Sequence, residues 1–137
     1  LNEEGWSSLF PMLEQRIRQH DRRSLHCGYR RCYIKGIRNF DIEKAYEAMR
    51  KNAFESPANK KDYQNGMGRR ALQSYLKYGY IPLEDSVPDA FHTKEQVSRT
   101  LEYAYDDFVL SQVAQKLQKN EDYKFVVRTC SKLSQCD

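Results

Sequence analysis

No run of this sequence comes near the roughly 20 consecutive apolar residues needed to span a bilayer, which argues against a membrane-crossing helix within it. No basic-then-apolar leader opens the chain. Its first residues, Leu1-Asn2-Glu3-Glu4, do not read as a natural start, so the missing leader carries no information about compartment. Cysteine is scarce: Cys27, Cys32, Cys130 and Cys136 form two loose pairs at opposite ends. Neither pair has CxxC spacing, and His20 and His26 complete no zinc pattern, so no metal ligands are assigned. An even count permits two disulfides without establishing an oxidising compartment. An alternating apolar–polar strand pattern is missing too.

What is present is a chain of 137 residues, enough for one small domain with one modest core. Ten tyrosines set it apart from a disordered tail. The net charge of +4 is localised. Residues 12–32 hold Arg16, Arg18, Arg22, Arg23, Arg30 and Arg31 against only Glu14 and Asp21, and the remainder is balanced at 17 basic and 17 acidic residues. A nucleic-acid binder needs a basic face, and outside this stretch the chain has none.

Helical periodicity recurs along the rest. Asp41 reads as a cap for Ile42, Ala45, Tyr46 and Met49, with the helix fading near Asn52. Residues 54–68, with Pro57, Asn59, Asn65, Gly66 and Gly68, read as a polar loop. A second helix is predicted over 69–78, with Leu72, Tyr75 and Leu76 inward and Gly79 as a left-handed cap. An extended connection carrying Pro82 and Pro88 follows. A third helix spans about 93–117, with Thr93 and Gln96 at capping-box spacing, and a fourth is possible over 121–133. Helices with long loops and no strands make the chain all-α.

The richest stretch is VSRTLEYAYDDF, residues 97–108. Val97, Leu101, Ala104 and Phe108, continued by Val109, Val113 and Leu117, predict one broad buried side. Glu102, Asp106 and Tyr105 crowd that side's edge, where a carboxylate needs a partner or a ligand. A solvated acidic flank is the plainer alternative.

This block, together with LKYGYIP and YIKGIRNFDIEKAYEAMRKNA upstream, resembles glycoside hydrolase family 92, the calcium-dependent exo-acting α-mannosidases. The three blocks occur in the family's order over about residues 33–123. The resemblance implies a sector of an (α/α)6 toroid, three to four helices of about a dozen, with sides made apolar for neighbours this chain lacks. It implies that residues 1–137 are a fragment of the catalytic domain of an inverting exo-α-mannosidase. That enzyme acts on mannose-containing glycans, and the fragment is expected to be inactive alone. Calcium is implied as cofactor with no ligand identifiable here. A secreted or secretory-pathway parent would suit glycan trimming.

Residues 12–32 depart from the family, which carries a Met-Ile-Gly-x-His element there. With permitted codons, a one-base frame shift turns this stretch into CWNSVYVSMIGDHCIAVIGDA and restores the element. Two compensating frame errors are therefore expected to bracket a segment that is exposed or poorly ordered. The family's acid falls in this altered block and its bases fall beyond residue 137, so no catalytic residue is assigned. Glu95 matches a family glutamate that contacts sugar, although members often carry His-Glu where this chain has Lys94-Glu95. Glu102, Asp106 and Asp107 are the other candidate substrate-binding residues. Arg99 is expected to pair with Glu95 or Glu102 at helical spacing. Tyr103 and Tyr105 suit a core better than a sugar-stacking platform. A non-catalytic helical interaction module is the alternative reading, and an arginine-mediated nucleic-acid binder a weaker one.

Overall fold

The computed structural model describes residues 33, 35–37, 39–64, 68–85 and 94–131. The arginine-rich segment 12–32 and its expected exposure lie outside the described residues, as do Thr93 and Leu133. Five helices and no strand occur among the described residues: α1 (Ile42–Phe54), α2 (Lys60–Gln64), α3 (Leu72–Tyr78), α4 (Gln96–Lys116) and α5 (Asn120–Ser131). The protein is all-α here, as its periodicity indicates.

Local chemistry sets the boundaries. The Asp41 carboxylate accepts the Lys44 amide at 3.0 Å and caps α1. The helix runs to Phe54, two residues past the expected end, before Glu55 turns extended. The expected loop 54–68 contains the single turn α2, where Asn59 accepts the Lys61 amide at 2.9 Å. Helix α3 starts at Leu72 rather than 69, because Ala71 is left-handed with φ 51° and breaks the turn before it. Gly79, at φ 83°, closes α3 as its sequence position suggests. Helix α4 begins with Glu95 at the cap position and no side-chain cap. Gln96 is therefore its first residue, not its third, while Thr93, the expected capping partner, lies outside the described residues. The Gln96 amide donates to the Leu83 and Asp85 carbonyls at 3.4 and 3.2 Å.

The main core lies between α1, the C-terminal half of α4, and α5. Tyr46, Met49 and Ala53 meet Val109, Leu110, Val113, Ala114 and Val126 there. Each large apolar side chain so buried contributes about 1.5–3 kcal/mol. A left-handed Gln118, at φ 58°, reverses the chain between α4 and α5. A second, smaller cluster joins Tyr75 and Ile81 with half-buried Ala71 and Tyr103. Between the clusters, the start of α4 is sewn to the segment after α3 by polar groups: Thr100 Oγ1 accepts the Ile81 amide at 2.9 Å.

A polar clasp joins α1 to α5. The Tyr46 hydroxyl donates to Asp122 Oδ2 at 2.6 Å, and Arg50 Nε donates to the same oxygen at 3.0 Å. Burial and the Asp122 carboxylate push the Tyr46 phenol well above its ordinary 10.0. Burial raises the Tyr103 phenol as well, against the opposing charge of Arg69. A raised folded-state value means that stability is complete below the unfolded value and falls as pH climbs past it. The unfolding midpoint is therefore expected to drop as pH rises from about 10. Tyr46→Phe should flatten that slope, and adding Tyr103→Phe should flatten it further. Thermal unfolding in steps from pH 9 to about 12 checks this; an unchanged slope in both variants would contradict it.

Candidate functional site

At 100° per residue, Glu95, Glu102 and Asp106 fall on one flank of α4, while Asp107 projects a quarter-turn or more away. The structure therefore aligns three of the four candidate carboxylates along the helix. It does not gather them, since a rise of 1.5 Å per residue puts Glu95 roughly 16 Å from Asp106. Glu95 and Glu102 are half-buried, and Asp106 and Asp107 are buried. Glu95 sits at the helix N-terminus, where the dipole favours an ionised carboxylate. Its Oε2 lies 4.0 Å from Arg99 Nη2, the i,i+4 pairing expected from spacing.

Asp107 is the most deeply placed, at 1% exposure. Its Oδ1 lies 2.7 Å from Arg69 Nη2, and its Oδ2 accepts the Tyr75 hydroxyl at 3.0 Å. Asp107 thus ties α4 to the start of α3 through an ion pair and a hydrogen bond. The Arg69 guanidinium is itself buried and lies 4.8 Å from the Tyr103 ring centre and 5.7 Å from that of Tyr75. Those rings meet edge-to-face at 5.4 Å. Burial disfavours the Arg69 charge, but the Asp107 carboxylate outweighs it and holds the guanidinium above its ordinary value. The Tyr103 hydroxyl then reaches across, accepting the Arg70 amide at 2.8 Å and donating to the Arg70 carbonyl at 3.2 Å. Tyr103 is thus a core residue, as expected.

Arg69 and Tyr75 were not among the residues singled out for the site. Their only signal in the sequence is that Asp107, facing inward, demands a cation, and Arg69-Arg70 follow a glycine at the mouth of the next helix. Gly68 is at φ 69°, and a Cβ there would approach Pro57 Cδ to 2.7 Å. Glycine is required to let the chain turn Arg69 inward.

The expected buried side of α4 is half wrong. Val109 and Val113 are buried, but Val97, Leu101 and Phe108 are exposed at 63%, 61% and 46%. In the N-terminal half the buried side is polar instead: Gln96, Arg99, Thr100, Asp106 and Asp107. Tyr105 joins the outward apolar side, away from both clusters.

Comparison with known proteins gives a consistent picture. The family model for the glycosyl hydrolase family 92 catalytic domain matches residues 7–132, running through the arginine-rich stretch. An uncharacterized secreted glycosidase of Arthroderma benhamiae is 34% identical over 95 residues, covering 68% of this chain. A family GH92 α-mannosidase from Bacteroides thetaiotaomicron superposes with a TM-score of 0.60 and 31% identity over 80% of this chain. The same comparison holds for its complex with mannoimidazole. The chain spans 12% of the length of each of these relatives.

Proposed function

Because this chain belongs to glycosyl hydrolase family 92, and its helices form part of that family's α/α toroid, we propose that it is one sector of the catalytic domain of an inverting exo-α-mannosidase. The parent enzyme removes mannose from the non-reducing ends of mannose-containing glycans. The observation that carries this reading is the pairing of two numbers. The helices superpose on a solved α-mannosidase over 80% of this chain, yet they correspond to only 12% of that enzyme. The mannoimidazole complex of that relative supports a mannose-type ligand.

Inversion needs a protonated acid and an ionised base about 6.5–9.5 Å apart, with a water between. Asp107 is held by Arg69 and Tyr75, and no catalytic role is assigned to any residue of α4. Glu95 is the proposed sugar contact: a half-buried carboxylate at a helix start, able to accept two sugar hydroxyls. Glu102 and Asp106 extend the same flank and are secondary candidates. Calcium belongs to this reading as a cofactor of the whole domain. The described residues do not fit its site, since among them no three His, Cys, Asp or Glu side chains stand together.

A synthetic aryl α-mannoside, with calcium present, tests the reading. The 137-residue chain is expected to give no turnover. A polypeptide extended by the coding sequence on either side of it is expected to hydrolyse the mannoside. In that longer protein, Glu95→Gln should raise KM by about 10-fold or more, the worth of one charge-assisted hydrogen bond. Turnover by the short chain, or mannoside indifference of the long one, would overturn the proposal.

A further inference from the structure

The connection from α3 to α4 exposes Tyr78, Tyr80 and Leu83 at 45%, 42% and 70%. The backbone that carries them is pinned along its length. The Gly79 amide donates to the Tyr75 carbonyl at 2.7 Å, and the Asp85 amide to that of Pro82 at 3.1 Å. Thr100 holds the Ile81 amide, Gln96 holds the Leu83 and Asp85 carbonyls, and the Ser74 hydroxyl holds the Asp85 carboxylate. Ile81 turns inward and is 3% exposed, while the tyrosine before it turns out. A fixed loop thus keeps two large aromatic side chains in water, against their ordinary tendency to be covered.

Gly79 sets their mutual geometry. Its left-handed backbone, at φ 83°, ends α3 and redirects the chain between the two tyrosines. Their ring centres come to lie 6.0 Å apart, with the planes tilted by 39°. Lys77 is exposed and its Nζ lies 4.7 Å from the Tyr78 ring centre, while Glu84 is exposed next to Leu83. The surface therefore joins two phenol rings to a cation and a carboxylate.

We propose that this surface binds a hexopyranose of the glycan, one further along the glycan than the mannose that is removed. The inference rests on the mannosidase reading for its choice of sugar, and it adds a second point of contact to the one proposed at Glu95. A pyranose is about as broad as a phenol ring. It presents C–H groups on its faces, which suit aromatic rings, and hydroxyls around its rim, which suit Lys77, Glu84 and the phenol oxygens. An apolar helix laid over the same surface would take Lys77 and Glu84 out of water without supplying partners. The pinning bonds also place the surface, because Gln96, which holds Leu83 and Asp85, directly follows Glu95. A loop already fixed in place loses little conformational freedom when a sugar settles on it.

The test uses the polypeptide extended on both sides and two substrates: α-mannosyl fluoride, which carries no second sugar, and an α-linked mannotetraose. Tyr80→Ala is expected to raise KM for the mannotetraose about 5-fold more than KM for the fluoride, the worth of one aromatic contact. Tyr80→Trp keeps a ring there and is expected to restore the ratio. The thermal midpoint of Tyr80→Ala is expected to stay within about 2 °C of the parent, as for other exposed positions. An unchanged ratio would overturn the proposal. A midpoint lowered by about 10 °C or more would show that protein covers the rings, and overturns it too. If the extended polypeptide hydrolyses neither substrate, the mannosidase reading falls by itself and the surface is judged on the 137-residue chain. There, NMR saturation transfer from protein to mannotetraose is expected, and its loss in the double variant Tyr78→Ala with Tyr80→Ala. No transfer to the parent chain, or equal transfer to both, overturns the proposal.

Discussion

Replacing Arg69 by methionine is expected to destabilise the protein by about 3–5 kcal/mol, the largest effect of any single charge removal here. Arg69 is 6% exposed and its partner Asp107 is 1% exposed. Removing the guanidinium leaves a carboxylate with one neutral hydrogen bond, from Tyr75, and no counter-charge. A buried unpaired carboxylate must either stay ionised at high energy or take up a proton, and both routes weaken the fold at neutral pH. The ring faces of Tyr75 and Tyr103 would also lose the cation between them, worth about 0.5–2 kcal/mol. With a total stability of about 5–15 kcal/mol, such a loss brings the chain close to unfolding at ordinary temperature.

The double variant Arg69→Met with Asp107→Leu separates the pair from its parts. Exchanging both charges for apolar groups removes the desolvation penalty along with the attraction, and is often neutral. Recovery of at least half the lost stability in urea titrations is expected. A double variant no better than Arg69→Met alone would mean that the network matters through shape, with Tyr103 and the Arg70 backbone misplaced, and not through charge balance.

Much of the architecture is legible in the sequence. Four of the five helices follow from apolar spacing, and two boundaries from single residues. Asp41 caps α1 with its carboxylate, and Gly79 closes α3 through a left-handed backbone. Both signals are local, so they survive whatever the rest of the protein does. The start of α4 misled for the opposite reason. Thr93 and Gln96 have the spacing of a capping box, but Gln96 is drawn to the carbonyls of Leu83 and Asp85, partners from another segment that no short-range pattern shows.

The candidate site divides in the same way. The need of a carboxylate for a partner at the edge of α4's buried side is read for Glu102 and Asp106; the ion pair the structure shows is at Asp107, and the identity of its partner depends on how Gly68 turns the chain. Arg69 reaches Asp107 across 38 positions of sequence, a separation that periodicity within one helix cannot encode. Glu95, Glu102 and Asp106 share a flank because their spacings of seven and four residues are helical, which the sequence does encode. Their use in binding sugar belongs to the proposal, not to the spacing.

Leu110→Ala should cost about 2–5 kcal/mol, whereas Leu101→Ala should change stability by less than about 0.5 kcal/mol. The two leucines are nine residues apart on one helix and indistinguishable in type. Leu110 is 1% exposed and packs in the core shared by α1, α4 and α5; Leu101 is 61% exposed. Truncating Leu110 opens a cavity that Met49, Val113 and Val126, themselves fully enclosed, cannot collapse to fill. Truncating Leu101 removes atoms already in water. Paired urea titrations with a common slope would measure both, and equal losses would place Leu101 in a core and contradict its exposure. A hydrophobic pattern reports only that a residue is destined for an apolar setting. It does not say where that setting lies, and on α4 the change from an exposed to an enclosed leucine falls between residues 101 and 110 of a single helix.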